Sequence, residues 1–189
     1  MEWYTAADKF IEALASSDPT PGGGAAAASA GAMGCALAMM AVGTTLKRKA
    51  TPEADKPLLT QSLSRFASLK NELKNYIKKD GEAYAAFITV KKLPQDNPGR
   101  EDAVQDALWQ AACVPADAAK AAVRALKELD AVKERVADII FSDVVCAKHL
   151  LQTCVRCAVE NVRANQVYIK NPDRASELEK QINTFLKSC

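Results

Sequence analysis

The stretch PTPGGGAAAASAGAMGCALAMMAVGTTL, Pro19 to Leu46, carries no charged side chain in a chain that is 25% Asp, Glu, Lys and Arg. A segment so free of charge reads as buried. Pro19 and Pro21 keep the approach extended, because proline fixes its own φ and drives the residue before it out of the helical region. Gly22, Gly23 and Gly24 then open backbone conformations closed to other residues. From Ala25 to about Gly43 the segment is mostly alanine. Alanine is the best helix former, so a long helix is predicted directly behind the glycine turn.

Three readings fit that helix. Its length would let it span a bilayer, but it is built of Ala, Gly, Ser and Thr rather than the Leu, Ile and Phe that favour insertion. As a core helix it would let neighbouring backbones come close, with Ala27, Gly31 and Cys35 on one side and Ala30, Gly34 and Ala38 beside it. A functional reading adds to the second. A glycine turn feeding a helix N-terminus leaves amide N–H groups pointing at open space, where the dipole favours an anion or an electron-rich carbonyl.

At 189 residues the chain can bury one full core, and a single domain over residues 1–189 is the default expectation. Lys and Arg number 25 against 23 Asp and Glu, a formal charge of +2, which argues against a nucleic-acid binder driven by a basic surface. No basic n-region and apolar h-region opens the chain, since Glu2 and Asp8 come early, so a cytoplasmic protein is expected. The six cysteines suit a reducing compartment. Cys35, Cys113, Cys146, Cys154 and Cys157 sit in apolar or alanine-rich surroundings and are expected in the core, with Cys189 exposed. Cys154 and Cys157 form a C-x-x-C near Cys146 and His149. On one helix Cys146 and Cys157 lie about 16 Å apart, too far for a single zinc ion, and no metal site is expected.

Along the chain, Trp3 to about Ala15 reads as an amphipathic helix. The basic cluster Lys47, Arg48 and Lys49 follows the central helix, where cations complement its dipole. Leu58 to about Leu93 shows a long helical pattern, and Asp80 falls four residues before Tyr84 and seven before Phe87, on their stripe. A carboxylate among aromatics is solvated, paired, or held with a raised pKa for a task. LPQDNPG breaks the chain. Arg100 to about Leu129 is the next helix, with a kink expected at Pro115. Ile139 to about Tyr168 follows, and Arg174 to Lys187 closes the chain as a surface helix. Asp143 and Asn161 share a face of the penultimate helix but lie about 27 Å apart, so one ligand meets both only if another helix or subunit brings opposite ends together. No strand pattern appears, and the expected fold is an all-α, antiparallel up-and-down bundle of long helices.

In this order the residues resemble the cyclodeaminase and cyclohydrolase family: the cyclodeaminase half of formiminotransferase-cyclodeaminase and free-standing bacterial methenyltetrahydrofolate cyclohydrolases. The resemblance rests on PTPGGG at Pro19 to Gly24 with its alanine-rich helix, DGEAY at Asp80 to Tyr84 with KLP after it, and VP at Val114 and Pro115. SD at Ser142 and Asp143 and NVRAN at Asn161 to Asn165 complete it. It implies an all-helical homodimer with an active-site cleft for a one-carbon derivative of tetrahydrofolate, whose chemistry needs no metal or redox cofactor; from the charge balance and the composition of the central helix, no nucleic-acid or membrane partner is expected.

Asp80 matches the family's aspartate implicated in catalysis. Pro21, Gly22, Gly23, Gly24, Tyr84, Asp143, Asn161, Arg163 and Asn165 become candidates for substrate binding. Lys47, Arg48 and Lys49 become candidates for holding the glutamate tail of a mono- or polyglutamylated folate. The chain departs from the family pattern at Ala25, usually serine, and at Val145, often glycine. The activity implied is hydrolysis of methenyltetrahydrofolate, with formiminotetrahydrofolate cyclodeamination and a non-catalytic folate-binding dimer as alternatives.

Overall fold

The computed structural model describes residues 2–189, with the side chain of Trp3, where the first amphipathic helix is expected to begin, outside that description. The described chain is helical throughout: α1 (Trp3–Ala15), α2 (Gly23–Leu46), α3 (Lys56–Lys91), α4 (Arg100–Val132), α5 (Phe141–Gln166) and α6 (Pro172–Lys187). Two 3₁₀ turns, Lys133–Arg135 and Asp138–Ile140, join α4 to α5.

Helices α2 to α5 form a four-helix bundle, and residue pairs across the seams give their directions. Gly24 faces Asp80, whereas Gly31 faces Leu73, so α2 and α3 run antiparallel. Gly23 faces Asn161, and Gly34 faces Leu151 and Ala147, so α2 and α5 also run antiparallel. Arg65 pairs with Glu128 and Arg124 with Glu72, which opposes α3 to α4. The result is the up-and-down order that short connections impose on neighbouring helices. α6 lies against α4 and α5 through Leu178, Ile182 and Phe185. Its start is fixed by Pro172 at the first turn and by Asn171, whose side chain accepts from the Asp173 and Arg174 amides.

The uncharged segment is the central helix of this bundle. α2 is long and apolar enough to cross a membrane, and 61% of its most apolar window is buried inside the protein. Its small residues bring α3 and α5 close: a Cβ on Gly31 would stand 2.7 Å from the Cys154 sulfur, and one on Gly34 would stand 2.8 Å from Leu151 Cγ. Each contact is too tight for any side chain, so close backbone approach replaces large apolar side chains as the packing device.

α4 holds Pro115 in its interior, as expected, and runs on to Val132. The expectation for the cysteines needs revision. Cys146 and Cys157 are exposed, whereas Cys35 and Cys154 are buried and Cys113 and Cys189 are half-buried. The outer stripe of α5 carries the two exposed thiols because α2 and α4 occupy its other faces. Among the described residues no group of three or more His, Cys, Asp or Glu side chains gathers as metal ligands would.

Candidate active site

A small pocket of about 190 Å³ lies where the N-terminus of α2 and the C-terminal parts of α3 and α5 converge. Pro19, Thr20, Gly22 and Gly23 form one wall, Asp80, Ala83, Tyr84 and Phe87 a second, and Ala111, Asn161 and Asn165 the third. The α3 wall follows from helical spacing, since residues three, four and seven apart share a face.

Asp80 is the acidic side chain among these lining residues. The Ala25 backbone N–H donates to Asp80 Oδ2 at 3.1 Å, so an otherwise unpaired amide of the first turn of α2 is satisfied by a carboxylate 55 residues away. The opposite carboxylate oxygen stands 2.0 Å from where a Cβ on Gly24 would be. Gly24 is therefore buried steric clearance for the carboxylate and does not line the pocket. Burial pushes the Asp80 carboxyl above the ordinary carboxylate value, and the Ala25 amide opposes that rise. A half-buried carboxylate at a helix N-terminus stays competent as an anion while becoming a better base.

On the α5 wall, Asn161 Nδ2 donates to the Cys157 carbonyl at 2.8 Å. Asn165 Nδ2 donates to the Asn161 carbonyl at 3.0 Å and to the Ala111 carbonyl at 3.3 Å, tying α5 to α4 across the pocket. Asn161 lies so close to Gly23 that a Cβ there would sit 3.1 Å from its amide nitrogen. Tyr84, 37% exposed, stands at the mouth.

The fold thus brings Gly22, Gly23, Asp80, Tyr84, Asn161 and Asn165 to one pocket. Pro21 is half-buried beside it, joined to Thr20 by a cis peptide. Other candidates fall elsewhere in the chain. Lys47, Arg48 and Lys49 are exposed beyond the far end of α2, a helix of 24 residues and so about 36 Å long. Asp143 stands in the first turn of α5, about 27 Å along the axis from Asn161. Arg163 turns away from the asparagine face and pairs with Glu160 at 2.9 Å.

Of the two family departures, Ala25 is buried and meets Asp80 through its backbone N–H, a donor that serine and alanine both supply. Val145 is 41% exposed on α5 and lies in a different groove, with Phe141 and His149. Pro19, Thr20, Ala83, Phe87 and Ala111 also line the pocket and are not among the site candidates the sequence offers. Ala83 and Phe87 were accessible from the α3 stripe, whereas Ala111 contributes a main-chain carbonyl, which no residue type signals.

Known proteins place this arrangement. The chain is 31% identical over 183 residues to methenyltetrahydrofolate cyclohydrolase of Methylorubrum extorquens, covering 95% of this chain and 88% of that protein. It is 28% identical to formimidoyltransferase-cyclodeaminase of Sus scrofa, over 95% of this chain but only 34% of that longer protein. The crystal structure of formiminotetrahydrofolate cyclodeaminase from Thermotoga maritima superposes with a TM-score of 0.86 at 26% identity, covering 100% of this chain and 89% of that one. Residues 6–184 match the family model described as formiminotransferase-cyclodeaminase, and the chain belongs to that family.

Proposed function

We propose that this protein is a methenyltetrahydrofolate cyclohydrolase, converting 5,10-methenyltetrahydrofolate and water to 10-formyltetrahydrofolate and a proton. The observation that carries the reading is the Asp80 carboxylate, held against the Ala25 amide at the glycine turn in a pocket walled by Tyr84, Asn161 and Asn165. The likeness to the Methylorubrum cyclohydrolase, which spans most of both chains, supports the choice of reaction.

The substrate's bridging carbon sits between two nitrogens that share a positive charge. Asp80 stabilises that cation by charge and orients a water toward the carbon. As the water's oxygen bonds to carbon, Asp80 accepts its proton. The tetrahedral adduct then collapses: the bond from the bridging carbon to N5 breaks, that electron pair stays on N5, and N5 takes a proton from Asp80. The second water proton goes to solvent and the formyl group remains on N10. No step in this sequence calls on a metal or redox cofactor.

Further parts of the reading are proposed with it. Residues 1–189 act as one cytoplasmic catalytic domain without a membrane or nucleic-acid partner, and the protein works as a homodimer. An outer stripe of α2 that exposes Met33 and Met40, 53% and 45% accessible, on a helix with no charge supports self-association. A partner protomer is what would bring Lys47, Arg48, Lys49 and Asp143 to a folate bound at Asp80, with the cations on its glutamate tail.

A second reading, formiminotetrahydrofolate cyclodeaminase, is favoured by the fold likeness to the Thermotoga enzyme. There Asp80 would carry a proton from the attacking N10 to the departing ammonia. One paired experiment tests both: spectrophotometric loss of methenyltetrahydrofolate beside ammonia release from formiminotetrahydrofolate. Turnover of the first is expected. Ammonia release alone would select the cyclodeaminase, and activity on neither would leave a non-catalytic folate binder.

A further inference from the structure

Asn161 and Asn165 differ from free surface amides in that both ends of each group are assigned by the structure. The amide NH2 groups donate to main-chain carbonyls: Asn165 to both Asn161 and Ala111, and Asn161 to Cys157 with one of its two N–H groups. Reversing either amide would set its oxygen against a carbonyl oxygen at about 3 Å, which is repulsive, so the orientation is fixed by the network. Among the described residues no donor hydrogen-bonds to either Oδ1. The two residues are one helical turn apart on α5, on the face that lines the pocket, with Gly23 pressed against the Asn161 amide. A Cβ at position 23 would stand 3.1 Å from the Asn161 amide nitrogen and push that amide by a few tenths of an ångström, so the turn and the asparagine are in close contact.

A wall of this kind offers two acceptor oxygens against a single uncommitted N–H, the second on Asn161 Nδ2. It complements best a ligand edge that carries N–H groups side by side, whereas an edge of carbonyls or lone-pair nitrogens would meet two acceptor oxygens and one donor. Asp80 stands on a different wall, α3, next to Gly24 rather than Gly23.

We propose, resting on the folate reading above, that Asn161 and Asn165 are specificity-determining residues that accept hydrogen bonds from the N3–H and 2-amino groups of the pterin ring through their amide oxygens. This orients the substrate. The aminopyrimidinone edge lies on α5, and the opposite side of the ring system, with N5 and its one-carbon bridge, is turned to Asp80 on α3. The two asparagines therefore act on binding and register, and Asp80 acts on the chemistry.

The test compares tetrahydrofolate with its 2-desamino-2-methyl analogue, which keeps the ring system and lacks the 2-amino donors. Dissociation constants are measured by calorimetry on the wild-type protein and on Asn161→Leu and Asn165→Leu. The wild type is expected to bind the analogue about tenfold more weakly, the scale of one net hydrogen bond. At least one leucine variant should bind both ligands equally and more weakly, with kcat reduced less than KM is raised.

The wild-type comparison needs no variant, so a leucine variant that fails to fold leaves the inference exposed to refutation. Equal wild-type affinity for the two ligands overturns it. Discrimination that persists in both leucine variants and vanishes in Asp80→Asn also overturns it, assigning the amino edge to Asp80 and removing that residue from proton transfer. A wild type that hydrolyses methenyltetrahydrofolate without discriminating the analogue refutes this inference alone. One that neither binds tetrahydrofolate nor turns over its derivatives refutes the functional reading as well.

Discussion

Asp80 Oδ1 occupies space that a Cβ at position 24 would need, standing 2.0 Å from the point where that atom would be, while the other carboxylate oxygen accepts from the Ala25 amide. One residue's absent side chain thus decides where another residue's charge resides.

That relationship predicts a coupled pair of substitutions. Gly24→Ala forces the carboxylate off the helix end, and overpacking of this kind costs about 1–3 kcal/mol. Turnover should fall with it, toward that of an enzyme without Asp80. In an Asp80→Ala background the obstruction is gone, so adding Gly24→Ala should leave the denaturation midpoint nearly unchanged. Additive losses in the double-mutant cycle would show that the clash is relieved by some other movement.

Asp80 also sets a pH dependence of unusual sign. Its folded-state pKa is raised by burial, so between the ordinary unfolded value and that raised value the folded protein binds more protons than the unfolded chain. Stability falls as pH rises through that window, opposite to a salt-bridged aspartate. Asp80→Asn should therefore raise the melting temperature at neutral pH, with the gap closing in acid. Wild-type kcat/KM should decline on the acid side with an apparent pKa above the usual aspartate range. Asp80→Asn should lose roughly a hundredfold in kcat, the scale of general acid–base contributions, together with that acid limb. A variant at full turnover would take Asp80 out of the mechanism.

The glycines of α2 divide by environment. A Cβ on Gly34 would meet Leu151 at 2.8 Å and the Ala147 carbonyl at 3.0 Å, whereas one on Gly43 would meet nothing within 4 Å. Gly34→Ala should destabilise by about 1–3 kcal/mol through overpacking. Gly43→Ala should stabilise by about 0.5–1 kcal/mol, since alanine is the better helix former and the space is open. Chemical denaturation of the two variants checks both signs.

A shared site in a homodimer is tested by mixing protomers. Lys47→Ala, Arg48→Ala and Lys49→Ala together are expected to raise KM for polyglutamylated substrate much more than for the monoglutamate. Co-refolded with Asp80→Asn chains, they should give mixed dimers with one fully intact pocket, in which the low KM for polyglutamate returns. If the cations serve their own chain's pocket, mixing restores nothing.

The sequence by itself determined the helices, their up-and-down order and the packing role of α2. Those properties follow from local propensity and from the spacing of apolar and small residues, information carried within each segment. It also placed Asp80, Tyr84 and Phe87 on one stripe of α3, because helical period alone relates them. Tertiary structure decided what crosses between segments: that Gly24 is clearance for a carboxylate, that Asn161 and Asn165 turn their oxygens free, and that Cys146 and Cys157 face outward. Which stripe of a helix meets a neighbour, and which main-chain carbonyl stands beside which amide, depends on contacts between residues distant in the chain, and no period within one helix encodes them.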